Sequence, residues 1–428
     1  MACPVTVSRS SSQMEEFVGE DLLFVNRPRA SLDAPNLYEL RGVAQHYAWG
    51  RSAGESEVAK LVEAGGTTID RTTSQDLKWA ELWIGTHANG PASLKLPNGT
   101  SVPLKDILGG DLPFLLKVLS VNTALSIQSH PSKALAEKLH RERPDVYKDP
   151  NHKPEMAIAL SRFEALCGFR GVSELEETLR AVPELAMCCG QIAVDRYMRV
   201  PEVNVTEKKR SLKDLFTSLM TVDQVTASEA VQRLVKRLEA EAVERELTPR
   251  ERLVLRLQAQ YPLDIGVLSS YLLNYVCLES GEAIALGANE PHAYLSGEIV
   301  ECMATSDNVI RAGLTPKFKD VNALCGSLTY RQGECPVMAG QEVEPGLHLY
   351  RPEFEEFEVW RMNLVEEQGS LSLPGTKGPV VAFCLSGQGT VNELGVHKGT
   401  ILFIPKGTPI RVHGDVVMWA ASENGKGW

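Results

Sequence analysis

The sequence lacks the cysteine patterns of a disulfide framework or a thiolate zinc finger. Its nine cysteines are scattered over 428 residues, and no Cys-x-x-Cys pair occurs among them. This usage predicts reduced thiols in a cytosolic protein. The chain also lacks any apolar run near the roughly 18 residues that span a bilayer, so no membrane partner is expected. Its formal net charge of −11 argues against general nucleic-acid binding, because nucleic-acid-binding proteins carry basic surfaces.

The first 36 residues (1–36) are predicted to form an N-terminal extension. They contain a Ser-rich run between Ser8 and Ser12 and several acidic residues, Glu15 and Glu16 among them. The segment has no apolar core of the kind that secretory signals require, and its acidic residues argue against an organelle transit peptide. We therefore expect a cytoplasmic location.

The pattern of apolar residues changes twice along the rest of the chain. From residue 37, short apolar stretches are broken by glycine, proline and asparagine, which indicates β-strands. Residues 166–261 instead show helical apolar spacing behind capping residues, as at Thr248-Pro249. Strand character returns after residue 261 and continues to the C-terminus. The sequence therefore predicts roughly two or three domains, mainly β, with an inserted α-helical domain.

A short internal sequence repeat, called the echo below, predicts two related β-modules. Gly281 precedes a strand pattern that leads to Pro291-His292, and Gly399 precedes one that leads to Pro409-Ile410. The second copy thus has isoleucine where the first has histidine. Many short strands separated by turns are typical of a jelly-roll or cupin barrel. The expected division is a catalytic cupin barrel in two parts (37–165 and 262–325), the helical insertion (166–261) and a metal-free cupin-like C-terminal β-domain (326–428).

Four dispersed side chains could serve as metal ligands: Gln128, His130, Glu155 and His292. Gln128 and His130 stand at positions i and i+2, which share one face only on a β-strand. Two imidazole nitrogens, a carboxylate and an amide oxygen suit Zn²⁺, and also Mn²⁺, Fe²⁺ or Co²⁺. The neutral amide oxygen would keep the metal electrophilic, which favours polarisation of a substrate oxygen.

Lys153 and Glu301 are further candidate site residues. Lys153 stands two residues before Glu155, and the intervening proline favours the extended geometry that turns both side chains the same way. Glu301 alternates with Ile299 and Met303 on a predicted strand, so we expect it to face the barrel interior. An inward carboxylate is costly unless it is paired or used in catalysis.

Arg311 lies in a segment where Gly313 and Pro316 predict a loop, and loops often carry functional residues. Its permanent charge and fixed fork of donors suit a phosphate or a developing oxyanion. The alternative is structural, with Arg311 paired to Asp307 and Lys317 solvated.

Six segments match one known family in order: Gln45–Gly50, Ala80–His87, Leu125–Pro131, Asn151–Ala157, Pro291–Leu295 and Ser306–Lys317. In these segments the sequence resembles type I mannose-6-phosphate isomerase, also called phosphomannose isomerase. The resemblance spans most of residues 37–325. The last part of the chain is similar only in general character, and residues 1–36 do not match.

The resemblance implies interconversion of D-mannose 6-phosphate and D-fructose 6-phosphate through a cis-enediol, in mannose and nucleotide-sugar (GDP-mannose) metabolism. It implies one Zn²⁺ per chain on Gln128, His130, Glu155 and His292, and a catalytic role for Arg311. Lys153, Glu301 and a zinc-linked water are the candidates for the base. We expect substrate contacts from Ser126, Lys117, Lys317, Trp49, Tyr294 and Asp307. The substrate is the only partner expected, and the chain is expected to be a monomer.

Two other classes of function stay open on the residues alone. One is a different cupin enzyme such as an Fe²⁺ oxygenase, which oxygen consumption would reveal. The other is a sugar-phosphate sensor or storage protein, which would bind without turnover. The remaining histidines are expected to be structural or surface residues: His46, His87, His140, His348, His397 and His413.

Overall fold

The computed structural model describes residues 37–67, 77–95, 100–365 and 369–427, and the predicted extension (1–36) lies outside them. β-strands dominate these ranges. In chain order the strands are β1 (Tyr38–Arg41), β2 (Val43–Gln45), β3 (Glu81–Ile84), β4 (Ser93–Lys95), β5 (Ser101–Pro103), β6 (Phe114–Val121), β7 (Ile127–Ser129), β8 (Glu155–Ala159), β9 (Phe163–Phe169), β10 (Leu273–Leu278), β11 (Glu282–Leu286), β12 (His292–Ala304), β13 (Ile310–Gly313), β14 (Met338–Ala339), β15 (Gln341–Glu344), β16 (Leu347–Tyr350), β17 (Glu358–Leu364), β18 (Ser370–Leu373), β19 (Val380–Val391), β20 (Leu394–His397), β21 (Ile401–Ile404) and β22 (Ile410–Ser422).

Most of the helices follow one another between β9 and β10, where the sequence predicts the helical insertion. The helices are α1 (Glu57–Ala64), α2 (Leu104–Leu108), α3 (Lys133–Glu142), α4 (Val172–Ala181), α5 (Pro183–Cys189), α6 (Gln191–Arg199), α7 (Val205–Thr221), α8 (Gln224–Glu244), α9 (Pro249–Gln260), α10 (Gly266–Ser269) and α11 (Val321–Ser327), with a 3₁₀ helix at Ser270–Leu272. Within the described ranges, no helix is both long and apolar enough to cross a membrane.

Capping residues explain where the helices of the insertion begin. At the start of α9, Thr248 Oγ1 accepts a hydrogen bond from the backbone N–H of Glu251 (3.2 Å), and the Glu251 carboxylate accepts from the Thr248 N–H (2.7 Å). This reciprocal pair satisfies two otherwise unpaired donors. Helix α7 begins at Val205, because Asn204 Oδ1 caps it by accepting from Glu207 N–H (3.3 Å).

The first sheet brings together the strands that carry the predicted ligands. Its strands pair in the order β14-β11-β8-β12-β6-β3-β2, and β12 also pairs with β7 and β9 near its start. The long strand β12 begins at His292 and also contains Tyr294 and Glu301, while β8 begins at Glu155. Antiparallel register places Glu301 of β12 opposite Lys117 of β6. Residues far apart in sequence thus meet along one strand.

The second sheet contains the C-terminal strands in the order β15-β16-β17-β22-β19-β21-β1-β4-β5, with β18 on β22 and β20 on β19. Strands β1, β4 and β5 come from the segment 37–165, yet they pair within this sheet. Strand β14 comes from the segment 326–428 and pairs with β11 of the first sheet. Strand pairing therefore crosses the segment limits read from the sequence, and those limits remain predictions.

The echo between the two modules corresponds to matching strands. Strand β11 followed by β12 is repeated as β21 followed by β22, and both β12 and β22 have 13 residues. Each pair follows a glycine with positive φ, Gly281 (91°) and Gly399 (83°), a conformation that favours glycine. Ile410 begins β22 at the position where His292 begins β12. The two modules thus share a layout but differ at a predicted ligand.

Candidate metal centre and active site

Three predicted ligands lie close together on or beside strands of the first sheet, and all three are buried. His130, Glu155 and His292 are buried, and their ligand atoms all lie within 4.8 Å of one another. His130 Nε2 lies 3.2 Å from Glu155 Oε2, and His292 Nε2 lies 3.0 Å from Glu155 Oε1. The sheet produces this convergence, because β8 and β12 begin at two of these residues and His130 follows the end of β7.

The hydrogen bonds of the two imidazoles fix which nitrogens face the centre. His130 Nδ1 donates to the carbonyl of Asn308 (2.8 Å), and His292 Nδ1 donates to the carbonyl of Glu290 (3.0 Å). A carbonyl can only accept, so each Nδ1 carries a proton and each Nε2 is turned towards Glu155. Burial lowers the pKa of His130 to about 4, despite the neighbouring carboxylate, which keeps this ring neutral at physiological pH.

These inward atoms fit a bound cation. His130 Nε2, His292 Nε2 and Glu155 Oε2 are buried without a hydrogen-bond partner among the described residues, although they lie close together. Burying polar atoms without a hydrogen-bond partner is costly, so these three atoms call for another partner. Two imidazole nitrogens and a carboxylate are suitable ligands for a divalent metal, with Nδ1 donors orienting each ring.

Glu155 is held in place by the groups around it. Tyr294 Oη donates to Glu155 Oε1 (3.0 Å), and Lys153 Nζ lies 3.5 Å from Oε2. Burial alone would raise the pKa of Glu155, but the positive charge of Lys153 holds that pKa well below its usual range. Glu155 is therefore anionic. Tyr294 was predicted to contact substrate; here it is buried, and its hydroxyl binds the carboxylate ligand.

Gln128 lies between the metal group and Arg311. It is the middle residue of β7, paired with His292 on β12 and with Arg311 on β13. Ser126 Oγ donates to its amide oxygen (3.2 Å). The loop predicted at Arg311 is in fact the short strand β13, because this segment completes backbone pairing with β7. Three side chains from three strands thus stand side by side.

A pocket of about 640 Å³ opens beside this row. Its volume lies within the range usual for small-molecule sites. The pocket contains eight of the predicted site residues: Trp49, Lys117, Ser126, Gln128, Lys153, Asp307, Arg311 and Lys317. Four of these are cations, in a chain whose net charge is negative. Such local positive charge suits an anionic ligand.

Lys117 is buried between two carboxylates. Its Nζ lies 2.9 Å from Glu301 and 3.3 Å from Glu81, and 5.0 Å from the centre of the Trp83 ring. Burial alone would lower the pKa of Lys117, but Glu301 and Glu81 raise it, so the amine stays charged. Burial raises the pKa of Glu301, while Lys117 opposes that change. Glu301 faces the interior, as predicted, but it does not line the pocket.

Arg311 forms no salt bridge among the described residues, so the structural pairing with Asp307 is not observed. Burial lowers the pKa of Arg311, but from so high a starting value that the guanidinium stays charged. Asp307 instead accepts from His87 Nε2 (3.2 Å), whose Nδ1 accepts from the backbone N–H of Asn89 (3.2 Å). The bond from His87 lowers the pKa of Asp307. Arg311 is therefore free to bind a ligand.

Sequence reasoning missed several residues that line the pocket: Tyr47, Glu81, Trp83, His87 and Asn89. His87 was expected to be structural. Two signals could have found these residues. Glu81 and Trp83 alternate on one strand and so share a face, and the segments Gln45–Gly50 and Ala80–His87 were among the six that matched a family.

A buried His-Glu-His group beside a cation-lined pocket, on an antiparallel β fold, is typical of metal-binding cupin enzymes. Two family models match the chain: the catalytic domain of type I phosphomannose isomerase over residues 37–172, and its helical insertion domain over residues 191–273.

Relatives match over nearly the whole length. Mannose-6-phosphate isomerase 2 of Arabidopsis thaliana is 43% identical over 406 residues, covering 89% of this chain and 91% of the relative. The Rattus norvegicus mannose-6-phosphate isomerase is 39% identical, with 86% and 93% covered. A crystal structure of mannose 6-phosphate isomerase bound with zinc and yttrium superimposes with a TM-score of 0.77, at 28% identity, covering 91% of this chain and 99% of that one.

The chain belongs to the type I phosphomannose isomerase family. The predictions that it is an isomerase of this family, and that it has a mainly β cupin fold with a helical insertion, are confirmed.

Proposed function

We propose that this chain interconverts D-mannose 6-phosphate and D-fructose 6-phosphate with one zinc ion held by Gln128, His130, Glu155 and His292. The observation that supports this most directly is the convergence of buried, unpaired ligand atoms beside a pocket rich in cations. A solved relative contains zinc. We also propose a cytoplasmic location and a role in supplying mannose for nucleotide sugars.

The reaction moves a proton from C2 of the open-chain aldose to C1 through a cis-enediol. When bound, zinc would act as a Lewis acid that lowers the cost of negative charge on the C1 and C2 oxygens. The chain's own residues must bind the phosphate, orient the sugar and carry the proton. Lys317 lines the pocket and supplies positive charge for the phosphate, and Lys117, whose charge Glu301 and Glu81 balance, lines it as a hydrogen-bond donor.

Arg311 stands next to Gln128, on the strand beside the metal group. We assign it the stabilisation of the enediolate oxygen, because it lines the pocket and forms no salt bridge with a carboxylate of the described residues. A donor aimed at developing charge typically contributes about 10²–10³ in turnover.

The geometry separates the candidate bases. Lys153 lines the pocket, 3.5 Å from Glu155 Oε2, and can reach a bound sugar. Glu301 lies beneath Lys117 and contacts it at 2.9 Å. We therefore propose Lys153 as the group that carries the proton between C2 and C1, which it accepts as the neutral amine after its own proton has passed to solvent. Glu301 acts through Lys117, whose charge and position it fixes.

A coupled assay tests the proposal. Purified protein is given mannose 6-phosphate, and fructose 6-phosphate is detected before chelation, after it, and after zinc is added back. Activity should vanish with the chelator and return with zinc. A metal-loaded but inactive protein would reject the isomerase assignment in favour of the sensor, and oxygen uptake with substrate would favour the oxygenase.

Arg311→Ala tests the assignment of Arg311 in the same assay. Turnover should fall by about 10²–10³ while the metal content stays unchanged, because the guanidinium is not a ligand. Arg311→Lys keeps the charge without the fork and should recover part of the loss. Near-normal turnover in Arg311→Ala would contradict the assignment.

A further inference from the structure

Two cysteines lie close enough to react with one another. Cys167 on β9 and Cys335, in the segment before β14, have their Sγ atoms 2.8 Å apart. They are separated by 168 residues in sequence, so only the tertiary fold brings them together. Cys167 is buried, with 7% of its surface exposed, whereas Cys335 is half-buried.

The pair lies in a second pocket of about 620 Å³, which shares no lining residue with the substrate pocket. A small oxidant can therefore reach Cys335 without entering the proposed active site. Cys335 is also the more reactive thiol, since the hydrogen bond with Cys167 lowers its pKa.

The segment just before Cys335 is hydrogen-bonded to the side chain of Glu290, two residues before His292. Cys167 stands opposite His292 in the sheet. Glu290, whose carbonyl orients the His292 ring, receives hydrogen bonds on its carboxylate from Thr329 (2.9 Å) and Arg331 (2.6 Å). A covalent link between Cys167 and Cys335 would therefore fix this segment to the strand behind His292.

We propose that Cys167 and Cys335 form a redox pair that is converted reversibly to a disulfide by hydrogen peroxide. The Cys335 thiolate attacks one peroxide oxygen and the O–O bond breaks. Hydroxide is the leaving group, and Cys335 becomes a sulfenic acid. Cys167 sulfur then attacks Cys335 sulfur, the S–S bond forms, and the S–O bond breaks. The two thiol protons end in water. Two thiols are oxidised by two electrons, and the peroxide is reduced to two molecules of water.

The disulfide should stabilise the fold, because it closes a long loop and so restricts the unfolded chain. For a loop of 168 residues, the chain-entropy argument predicts that Tm rises by roughly 5 °C on oxidation. A dithiol reductant should restore the original Tm, because thiol exchange at the half-buried Cys335 sulfur opens the bond.

The test treats the full chain with a small excess of peroxide, followed by intact mass, peptide mapping and Tm. Wild type should lose about 2 Da, show a cross-linked peptide containing both residues, and show the Tm rise. Cys335→Ser should show none of these. Cys277→Ser, which removes an exposed thiol outside the pair, should behave like wild type.

Two results would overturn the proposal. One is sulfinic acid at Cys335 without a cross-link, and the other is a cross-link between different cysteines. Mapping of the wild-type protein decides between these outcomes even if Cys335→Ser folds poorly. The isomerase assay does not enter this test, so its outcome is independent of the proposed function.

Discussion

The buried carboxyl group of Glu298 should make the free energy of unfolding depend on pH by an amount that its raised pKa predicts. It lies on β12 between His292 and Glu301 and is 8% exposed. The Ser120 hydroxyl donates to its Oε2. Arg51 Nε lies 3.4 Å from Oε1 but donates its proton to a backbone carbonyl instead (3.1 Å). Oε1 therefore has no hydrogen-bond partner among the described residues, and burial raises the pKa of Glu298 to about 7.

The sign and size of the effect follow from this raised pKa. In the unfolded chain Glu298 ionises near its ordinary pKa of 4.5, so between about pH 4.5 and 7 the folded state holds the proton more tightly. Stability therefore falls as pH rises through this window. The difference between the two pKa values corresponds to a loss of up to about 3 kcal/mol above pH 7.

Glu298→Gln removes the charge and keeps the shape. Compared with wild type, its free energy of unfolding should gain about 2–3 kcal/mol between pH 5 and pH 8, measured by urea titration at both pH values. Glu358→Gln is a matched control, because Glu358 is buried but paired with Arg351 (2.7 Å). That variant should lose stability at pH 8. If the difference in free energy of unfolding between Glu298→Gln and wild type were the same at pH 5 and pH 8, the reasoning would be refuted.

Three further predictions concern the site. Tyr294→Phe should weaken metal binding about 10-fold or more in chelator competition, whereas Tyr350→Phe, which loses a buried bond to a backbone carbonyl, should not. Lys117→Met should cost about 3–5 kcal/mol of folding stability, because it leaves buried carboxylates unpaired, and adding Glu301→Gln should recover part of that loss. His292→Ala should lose metal and activity together, and full metal occupancy in that variant would remove His292 from the ligand set.

Local patterns in the sequence predicted much of the fold. Capping at Thr248 and the apolar spacing of residues 166–261 predicted the helical insertion, because helix initiation depends on neighbouring residues. The echo of Gly281 at Gly399 predicted matching strands.

The pairing of strands could not be predicted in the same way. Strand β1 belongs to the sheet of the C-terminal strands, and β13 replaces the loop predicted at Arg311. Each pairing depends on which edges become neighbours after collapse, and the period-two pattern of a strand does not name its partner. The period-two pattern correctly predicted that Glu301 faces the interior. It could not predict the contact with Lys117, because that contact depends on the partner strand.

The sequence by itself determined the family and the kinds of side chain in the site, because motifs such as Gln128-x-His130 are local and their chemistry is intrinsic. Only the tertiary structure decided what each group does there. Register between distant strands turns the Nε2 atoms of two imidazoles towards Glu155, places Lys117 between two carboxylates and brings Cys167 to Cys335. The neutral His130 ring, the charged Lys117 and the paired thiols are consequences of burial and close contact, and both arise only when the sheet has formed.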